Sequence, residues 1–484
     1  MGIFAKKITK LKGKRQHKYF KAEFKNVKIS GFAAEGKAIC RIEDMVVFLN
    51  HAAPGDIVDI IIVKAKRNYL EGSITKIHQK SEFREDPFCE HFGICGGCKW
   101  QHLKYEKQLE FKQQQVIDSI ERIGKIPSSE FQILPIAGSK NTTFYRNKLE
   151  YTFTNRRWLE SIDMLDQESG LELSGLGFHV PGFFDKVMNI NKCYLQPEPS
   201  NRIRLWLKEY SLNRKLEFYD LRGHSGWLKN VIIRNNIKGD FMVNLIVSSE
   251  NNDVLNDLLT SMLKVFPEIT SLFYTINPKT NPSISDRTPI LFYGKPFLDE
   301  SMEDIHFTIG PNSFYQTNSE QAYVLYSIVR DFAELRGNEI VYDLYTGTGT
   351  IACFVANKSK KVIGIEYIEE AVAHARENAT NNNINNAVFF SGDMSKILTG
   401  QFIKENGTPD VIITDPPRAG MHPDVVHQLN MSGAGKIVYV SCNPATQARD
   451  IELLSENYNL EKIQAVDMFP HTHHVESVAL LIKR

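Results

Sequence analysis

The chain has 484 residues, 42% of them hydrophobic, and a formal net charge of +1, which is ordinary for a globular protein of roughly two to four domains. It contains no run of about 18 apolar residues, so no membrane span is expected, and its lysine-rich start lacks the features of a secretory signal. We therefore expect a cytoplasmic protein. Seven cysteines, an odd number, argue against a disulfide framework and favour metal-binding or catalytic thiols.

Positive charge is concentrated at the start of the chain. Residues 1–30 contain ten Lys or Arg side chains and one acid, Glu23. We take residues 1–21 as a basic arm, since such arms commonly bind the phosphates of nucleic acids. A solvated terminus without a partner is the alternative.

Residues 22–85 alternate short β-branched runs with glycine and proline turns, a pattern typical of a small β-barrel. The stretches GKAI, VVF, PGDIV and VKAKRNYLEGSI resemble the TRAM domain, an OB-like barrel that binds RNA. Barrels of this shape bind single strands through basic and aromatic side chains, so the candidates for RNA contact are Lys64, Lys66, Arg67 and Tyr69. A purely structural barrel is the alternative.

Residues 86–310 show mixed, strand-rich patterns with a predicted helix over 105–123, and we expect a central α+β domain. Near its start, Cys89, Cys95 and Cys98 have the spacing C-x5-C-x2-C. Thiolates at such spacing bind zinc or an iron–sulfur cluster, and spacing alone does not separate the two. A fourth ligand is needed for either.

Residues 311–484 alternate apolar strands with helical segments, a pattern typical of a doubly wound parallel sheet. In DLYTGTG, Gly347 and Gly349 allow close approach of a ligand to the backbone after the first strand. Glu366 ends the next strand, where an acid can bind ribose hydroxyls. The pattern lacks a Walker lysine and leaves NAD or S-adenosylmethionine as the cofactor.

Two further acids, Asp393 and Asp415, follow the next strands of this domain. Ligands of doubly wound sheets bind outside the carboxyl ends of the strands, so these acids share one rim with Asp343 and Glu366. A single acid at a strand end is usually a helix cap or turn residue. Four in series, together with the glycines, favour a methyltransferase.

The order D-L-Y-x-G-x-G, I-E, D-P-P-R, S-C-N-P and H-H-V-E resembles RNA uracil-5-methyltransferases, as does SFYQTN ahead of it. The resemblance implies a Rossmann-like S-adenosylmethionine-dependent domain, and the whole chain is then a multidomain α/β protein. The implied cofactor contacts are Gln316, Tyr345, Glu366 and Asp415, with Thr350 and Asp393 in addition. The barrel and the cysteines resemble the branch that modifies 23S rRNA, since the tRNA branch typically lacks both.

Uracil methylation explains the need for a thiol. Carbon 5 of uracil is a poor nucleophile until a thiolate adds to carbon 6, and a base must later remove the carbon 5 proton. Cys442, at the end of a strand on the cofactor rim, fits the nucleophile, and Glu476 fits the base of the family. Arg418 is a candidate for contact with a phosphate or the target base. The uridine must be unpaired or flipped out.

Three alternatives to this function remain open. A tRNA uridine methyltransferase shares the chemistry. An RNA cytosine carbon-5 methyltransferase usually carries a second cysteine after the fourth strand, where DPPRAG has none. A non-catalytic RNA-binding protein with a degenerate methyltransferase fold would not need Cys442, Glu476 and Asp415 intact. We expect an RNA-binding monomer without membrane contact.

With Cys442 assigned to catalysis, Cys193 is the candidate fourth ligand, and this distant cysteine matches the 4Fe–4S pattern of the family. Zinc is the alternative. Cys40 and Cys353 lie in apolar patterns and are expected to be buried and inert. The three histidines His471, His473 and His474 are of a type that can bind metal, but we prefer contacts to a base or phosphate.

Overall fold

The computed structural model describes residues 17–159 and 172–484. Most of the basic arm predicted over residues 1–21 therefore lies outside the described residues. Within the described ranges, no helix combines the length and the apolar character needed to cross a membrane. The described residues divide into two compact units.

The first unit runs through Asp86 and includes His102–Lys104. Its strands are β1 Glu23–Lys28, β2 Gly31–Phe32, β3 Ala38–Ile42, β4 Met45–Leu49, β5 Ile57–Ala65 and β6 Tyr69–Gln79, with a 3-10 turn at Ala34–Gly36. They pair in the order β1-β5-β6-β4-β3-β2. Alternate residues of β5 (Val58, Ile60 and Ile62) are buried, as expected of a strand with one face in a core. The prediction of a small N-terminal β-domain is confirmed.

The turn before β5 is fixed by a buried carboxylate. Asp56 accepts hydrogen bonds from the backbone N–H groups of Ala53 (2.7 Å) and Ser81 (2.9 Å). The Arg84 guanidinium donates to both carboxylate oxygens of Asp56, at 2.8 and 2.7 Å. These contacts give the PGDIV stretch a structural role, because they close the six-stranded sheet onto the segment that follows it.

The second unit contains Pro87–Gln101 and Tyr105–Arg484. It begins with α1 Tyr105–Arg122, a 3-10 turn at Ser128–Glu130 and β7 Gln132–Ala137. Its central part consists of β8 Lys148–Thr154, β9 Gly175–His179, β10 Val187–Asn189, α2 Ser200–Asn213, β11 Leu228–Asn235, β12 Phe241–Val247, α3 Asn252–Val265, β13 Ile269–Ile276 and β14 Ile290–Gly294. These strands form one sheet in the order β10-β9-β8-β11-β12-β13-β14. The helix predicted over 105–123 is present and ends one residue earlier.

The C-terminal part begins with a hairpin and continues as alternating helices and strands. Its elements are β15 Leu298–Met302, β16 Ile305–Ile309, α4 Ser319–Ala333, β17 Ile340–Leu344, α5 Thr350–Ala356, β18 Lys361–Glu366, α6 Glu369–Asn381, β19 Ala387–Ser391, α7 Met394–Ile397, α8 Gly400–Asn406, β20 Val411–Thr414, α9 Pro423–Met431, β21 Lys436–Ser441, α10 Pro444–Leu454, β22 Tyr458–Val466 and β23 Glu476–Lys483.

The strands of this part form an eight-stranded sheet in the order β19-β18-β17-β20-β21-β23-β22-β7. Its pairs are parallel except those that β23 makes with β21 and β22. Apolar clusters cover both faces, as buried parallel strands require. The predicted α/β class is confirmed, and the sheet gains β7, which lies outside the predicted range 311–484.

Candidate active site

The connection from β21 to α10 carries Cys442. Asn443 caps α10, its side-chain oxygen accepting from the Ala445 N–H at 3.2 Å. The Asn443 amide and the Thr446 hydroxyl also donate to the carbonyl oxygen of Arg418, at 3.0 and 3.2 Å. The SCNPAT turn and the DPPR loop after β20 are therefore held together, which fixes the half-buried thiol beside the loop.

Glu476 lies directly across from this turn. β21 and β23 are antiparallel with Ser441 opposite Ser477, so Cys442 and Glu476 are the next facing positions beyond the last pair. Glu476 also pairs with Val466 of β22 and is only 7% exposed. The fold thus brings together two predicted site residues that lie on separate strands.

The surroundings of the Cys442 thiol oppose its ionisation. Burial raises its pKa to about 11, and the nearby Glu476 and Asp415 carboxylates raise it further, while Arg418 acts in the opposite direction. The thiol is therefore protonated near neutral pH. The guanidinium of Arg418 is the contact in this site that favours the thiolate.

Two carboxylates beside the thiol also have raised pKa values. Burial, together with the charge of Asp415, raises the pKa of Glu476 well above its ordinary value, and Arg418 partly opposes this. Burial raises the pKa of Asp415 to about 7. Neighbouring carboxylates with raised pKa values are typical of sites that transfer protons.

The segment before Glu476 carries the three histidines. An Arg418 Nη2 donates to His474 Nδ1 at 3.3 Å, so this ring accepts at Nδ1 and is the neutral tautomer protonated at Nε2. The His473 and His474 rings pack at 4.1 Å between centroids. Burial lowers the pKa of His473 to about 3 and that of His474 to about 4. Neutral rings suit contact with a base better than ionic pairing with a phosphate.

The loop after β17 has an unusual backbone. Tyr345, Gly347 and Gly349 have positive φ angles of 62°, 55° and 77°. A Cβ on Gly349 would meet the Cβ of Ala375 at 2.9 Å, whereas one on Gly347 would meet nothing within 4 Å. Gly349 is needed for packing below the loop, while Gly347 leaves its outer side open to a ligand. Thr350 begins α5 immediately after this loop.

Glu366 ends β18, whereas Asp393 follows β19 and caps helix α7. Both carboxylates accept hydrogen bonds from the protein itself. The Glu366 carboxylate accepts from the N–H groups of Gly347 (3.1 Å) and Ile368 (3.0 Å). Asp393 accepts from Ser395, which together with its backbone N–H lowers the Asp393 pKa. Both carboxylates are thereby held in fixed positions at the carboxyl edge of the sheet.

Tyr326 of α4 is a rim residue that the sequence did not single out. Burial raises the pKa of Tyr326 well above its ordinary value, and the charges of Asp415 and Asp343 raise it further. Its hydroxyl group also hydrogen-bonds with the Gln316 side chain. In the sequence it falls within an apolar helical pattern, where a tyrosine is expected to be part of the hydrophobic core. The structure thus links Gln316 to the acids of the rim through one buried phenol.

Comparisons with known proteins show the family of this chain. The family described as tRNA (Uracil-5-)-methyltransferase matches residues 293–484, and the TRAM domain family matches residues 22–75. An uncharacterized RNA methyltransferase of Porphyromonas gingivalis is 50% identical over 94% of this chain and 99% of its own length. The chain belongs to the RNA uracil-5-methyltransferase family. A second relative, from Bacteroides thetaiotaomicron, is 52% identical over 93% and 99% of the two chains.

A solved structure extends this similarity to most of the fold. The Pyrococcus abyssi tRNA (uracil-54, C5)-methyltransferase in complex with S-adenosyl-L-homocysteine superposes with a TM-score of 0.72 at 29% identity. The match covers 94% of this chain and 99% of that one. The uracil-5-methyltransferase described here is therefore an S-adenosylmethionine-dependent enzyme with the architecture of that structure.

Four cysteines of this methyltransferase line one cavity of about 150 Å³: Cys89, Cys95, Cys98 and Cys193. Burial raises the pKa of Cys98 to about 12, and the charges of the other three thiols raise it further. Among the described residues, no group of three or more His, Cys, Asp or Glu side chains is arranged to hold a metal ion. The cysteines are brought together as predicted, and the iron–sulfur cluster itself stays a prediction.

Helix α1 anchors the segment that leads into Glu476. The buried Lys112 ammonium donates to Asp467 at 2.5 Å and to the Phe469 carbonyl at 3.1 Å. Tyr105 donates to the same Asp467 at 2.9 Å. Gln108 accepts from the His471 N–H at 2.8 Å. Sequence reasoning missed this network, since only the buried position of a lysine in a helix pattern hints at it.

The candidate RNA contacts of the TRAM domain lie at the end of the β5–β6 hairpin. Lys66 and Arg67 are exposed in the turn. Lys64 pairs with Glu71 at 2.8 Å, which offsets part of its charge, and the Tyr69 ring packs edge-on against Phe48 at 5.6 Å. Lys66 and Arg67 are therefore the more accessible of the four for a phosphate.

Proposed function

We propose that this enzyme methylates carbon 5 of a uridine in RNA through a covalent adduct between Cys442 and carbon 6. The observation that carries the proposal is the position of Cys442 and Glu476 at facing ends of β21 and β23, beside the rim acid Asp415. One residue is a nucleophile and the other a base, and the reaction needs both on the same ring. The assignment of both residues rests on this geometry and on the family motifs.

In the proposed reaction, the Cys442 thiol loses its proton to solvent and its sulfur bonds to carbon 6. Arg418 favours this step, because its positive charge stabilises the thiolate. The electron pair displaced from the 5,6 double bond makes carbon 5 nucleophilic. Carbon 5 would then take the methyl group from the sulfonium sulfur of S-adenosylmethionine, which would keep the electron pair of the broken methyl–sulfur bond and leave as S-adenosylhomocysteine. Glu476 removes the carbon 5 proton, the double bond re-forms and the Cys442 sulfur leaves.

The base must be ionised when it acts. Since burial raises the pKa of Glu476, its carboxylate is a stronger base than that of an exposed glutamate. Nearby Asp415 raises that pKa further. Activity is expected to fall on the acidic side at a pH well above the ordinary pKa of a carboxyl group.

S-adenosylmethionine supplies the methyl group as a sulfonium electrophile when bound. We assign its binding to the carboxyl edge of the sheet, where Gly347 leaves open space and Gly349 allows the tight turn. The side chains that would hold it are Gln316, Tyr345, Thr350, Glu366, Asp393 and Asp415. The positive charge of a bound sulfonium would favour the ionised forms of Asp415 and Glu476, whose pKa values are raised.

The four cysteines would hold a 4Fe–4S cluster. A cluster places its ligands around several irons, so they need not converge on one point as the ligands of a zinc ion do. Four thiols around a cavity of about 150 Å³ fit an iron–sulfur cluster better than a single zinc ion. The cysteines would then join residues 89–98 to Cys193, and no electron transfer is required of them.

The target we favour is 23S rRNA, on the resemblance of the barrel and cysteines to that branch. A tRNA uridine is the second candidate, because the Pyrococcus abyssi tRNA enzyme matches 94% of this chain. That match means that domain content does not separate the two targets. A cytosine is disfavoured, since Pro416, Pro417 and Arg418 follow Asp415 where that class has its second cysteine.

The test of the mechanism uses two variants and labelled S-adenosylmethionine with unmodified total RNA. Cys442→Ala should abolish methyl transfer while cofactor binding stays within twofold, roughly, of wild type. Glu476→Gln should accumulate a covalent enzyme–RNA adduct that survives denaturation. Cys40→Ala is the matched thiol control, since that cysteine is buried in the core of the first unit. Full activity of Cys442→Ala would refute the mechanism, and mapping 5-methyluridine in rRNA and tRNA of a deletion strain would identify the target.

A further inference from the structure

A second large depression lies in the central part of the protein, outside the residues assigned to catalysis. Its volume is about 910 Å³, within the range of specific ligand sites. One wall comes from the cysteine segment at Gly96 and Lys99, and the other from the connection after β9, residues 179–184. The walls are in contact, because a Cβ on Gly96 would meet the His179 carbonyl oxygen at 3.1 Å. We call this depression the aromatic groove.

Two adjacent phenylalanines give the aromatic groove its character. Phe184 is 70% exposed and Phe183 is 49% exposed. Phe183 packs on Trp158 at 5.3 Å between ring centroids, and the Arg222 guanidinium lies 5.9 Å from the Phe184 ring. Exposed, supported aromatic rings beside a guanidinium are what unpaired nucleobases stack on.

The charge of the aromatic groove is complementary to a polyanion. Among its described lining residues are Lys99 and Lys229, together with His179 and His224, and neither an aspartate nor a glutamate. Lys99 is exposed, whereas Lys229 is 3% exposed and its ammonium donates to the carbonyl oxygens of Lys279 at 2.5 Å and Asn277 at 3.3 Å. A ligand with aromatic rings and negative charge therefore fits better than an apolar peptide or a lipid.

The aromatic groove is linked to the catalytic site through Lys99. The Lys99 N–H donates to the His471 carbonyl oxygen at 2.9 Å. The charge of Lys99 contributes to the lowered pKa values of His473 and His474, after the larger effect of burial. His474 in turn contacts Arg418. The wall of the groove at Lys99 and the surroundings of Cys442 therefore share the segment that carries the three histidines.

We propose that the aromatic groove binds single-stranded RNA next to the target uridine, with bases stacked on Phe183 and Phe184 and a phosphate facing Lys99. This inference rests on the proposed function and adds a recognition site to it. It also gives the cysteine segment a task apart from chemistry, because that segment forms one wall of the groove. A duplex would not fit, since its bases are already stacked and cannot reach the rings.

The test measures binding of a fluorescent oligouridylate of about 15 nucleotides to the full-length, cluster-loaded protein over a range of salt concentrations. Phe184→Ala should weaken binding roughly five- to hundredfold, the range of one lost base stack. Lys99→Met should weaken it and reduce the slope of log affinity against log salt by about 0.7–1. The matched controls are Tyr293→Ala, an exposed aromatic on β14, and Lys264→Met at the end of α3.

The outcomes separate this inference from the proposed function. Loss of oligouridylate binding in Phe184→Ala with unchanged duplex binding supports the groove. Equal loss of single-strand and duplex binding, or variants that bind like their controls, overturns it, even if the wild-type enzyme methylates RNA. Binding that depends on Phe184 and Lys99 without any methyl transfer to RNA would instead refute the proposed function and leave the groove in place.

Discussion

At the residue scale, Cys442 was identifiable from the sequence but its ionisation was not. The motif order placed it on the rim, and the DPPR and SCNPAT loops do meet there through Arg418, Asn443 and Thr446. Burial and two nearby carboxylates raise the pKa of Cys442 to about 11. The sequence shows which charged residues exist, whereas the pKa depends on how deeply the fold buries them.

This raised pKa predicts how Cys442 reacts with iodoacetamide. Only the thiolate reacts, so alkylation of the Cys442 peptide, followed by mass spectrometry, should increase steadily from neutral pH towards about 11. Arg418→Met removes the charge that favours the thiolate and should slow alkylation at pH 8 by about tenfold, one pKa unit. Arg122→Met, an exposed arginine on α1, is the control. Complete alkylation of the wild-type thiol at pH 7 would contradict the geometry.

At the element scale, helix α1 supports the catalytic edge from outside the C-terminal domain. Lys112 and Asp467 are separated by 355 positions and are both fully buried, and their ion pair positions the segment that precedes Glu476. The helix itself was predictable from its pattern of apolar and polar residues. Its partner was not, because an ion pair between distant positions leaves no local signal in a single sequence.

Removing one member of this pair should be costly. Lys112→Met leaves the Asp467 carboxylate buried without its cation, and such single removals cost about 3–5 kcal/mol. We expect the midpoint of thermal unfolding to fall by roughly 4–6 °C, because a unit of this size has a large entropy of unfolding. Lys107→Met on the same helix removes a surface pair with Glu110 and should shift the midpoint by about 2 °C at most. A shift of similar size in both variants would show that the buried pair is not the support described.

At the scale of the whole molecule, the second compact unit brings together segments that are distant in the sequence. The G-x-G loop, the rim acids and the alternation of strands and helices were predictable, because each depends on a local pattern repeated along the chain. Tyr326 and β7 were not, since their roles arise from contacts made only after folding. The cysteine set was predictable in part. Cys89, Cys95 and Cys98 lie close together in the sequence, whereas Cys193 comes near them only in the folded chain.

The cluster assignment makes a prediction at this scale. Protein purified anaerobically should contain iron and absorb broadly in the visible range, as iron–sulfur proteins do. Cys193→Ser should lose most of this absorption, because one of four ligands is removed, and should unfold at a lower temperature. Cys40→Ala, which alters a buried thiol in the first unit, should keep it. A colourless wild-type protein containing zinc would refute the iron–sulfur assignment.

The position of β7 has a consequence for how this protein can be divided. β7 comes before the central sheet in sequence but pairs with β22 as the last strand of the C-terminal sheet. The central part is therefore an insertion, with the catalytic body continuing on both sides of it. A fragment that starts at residue 311 would expose the unpaired backbone of β22, and such edges recruit strands from other molecules. The catalytic sheet should accordingly be recovered without self-association only when residues 105–137 are supplied with it.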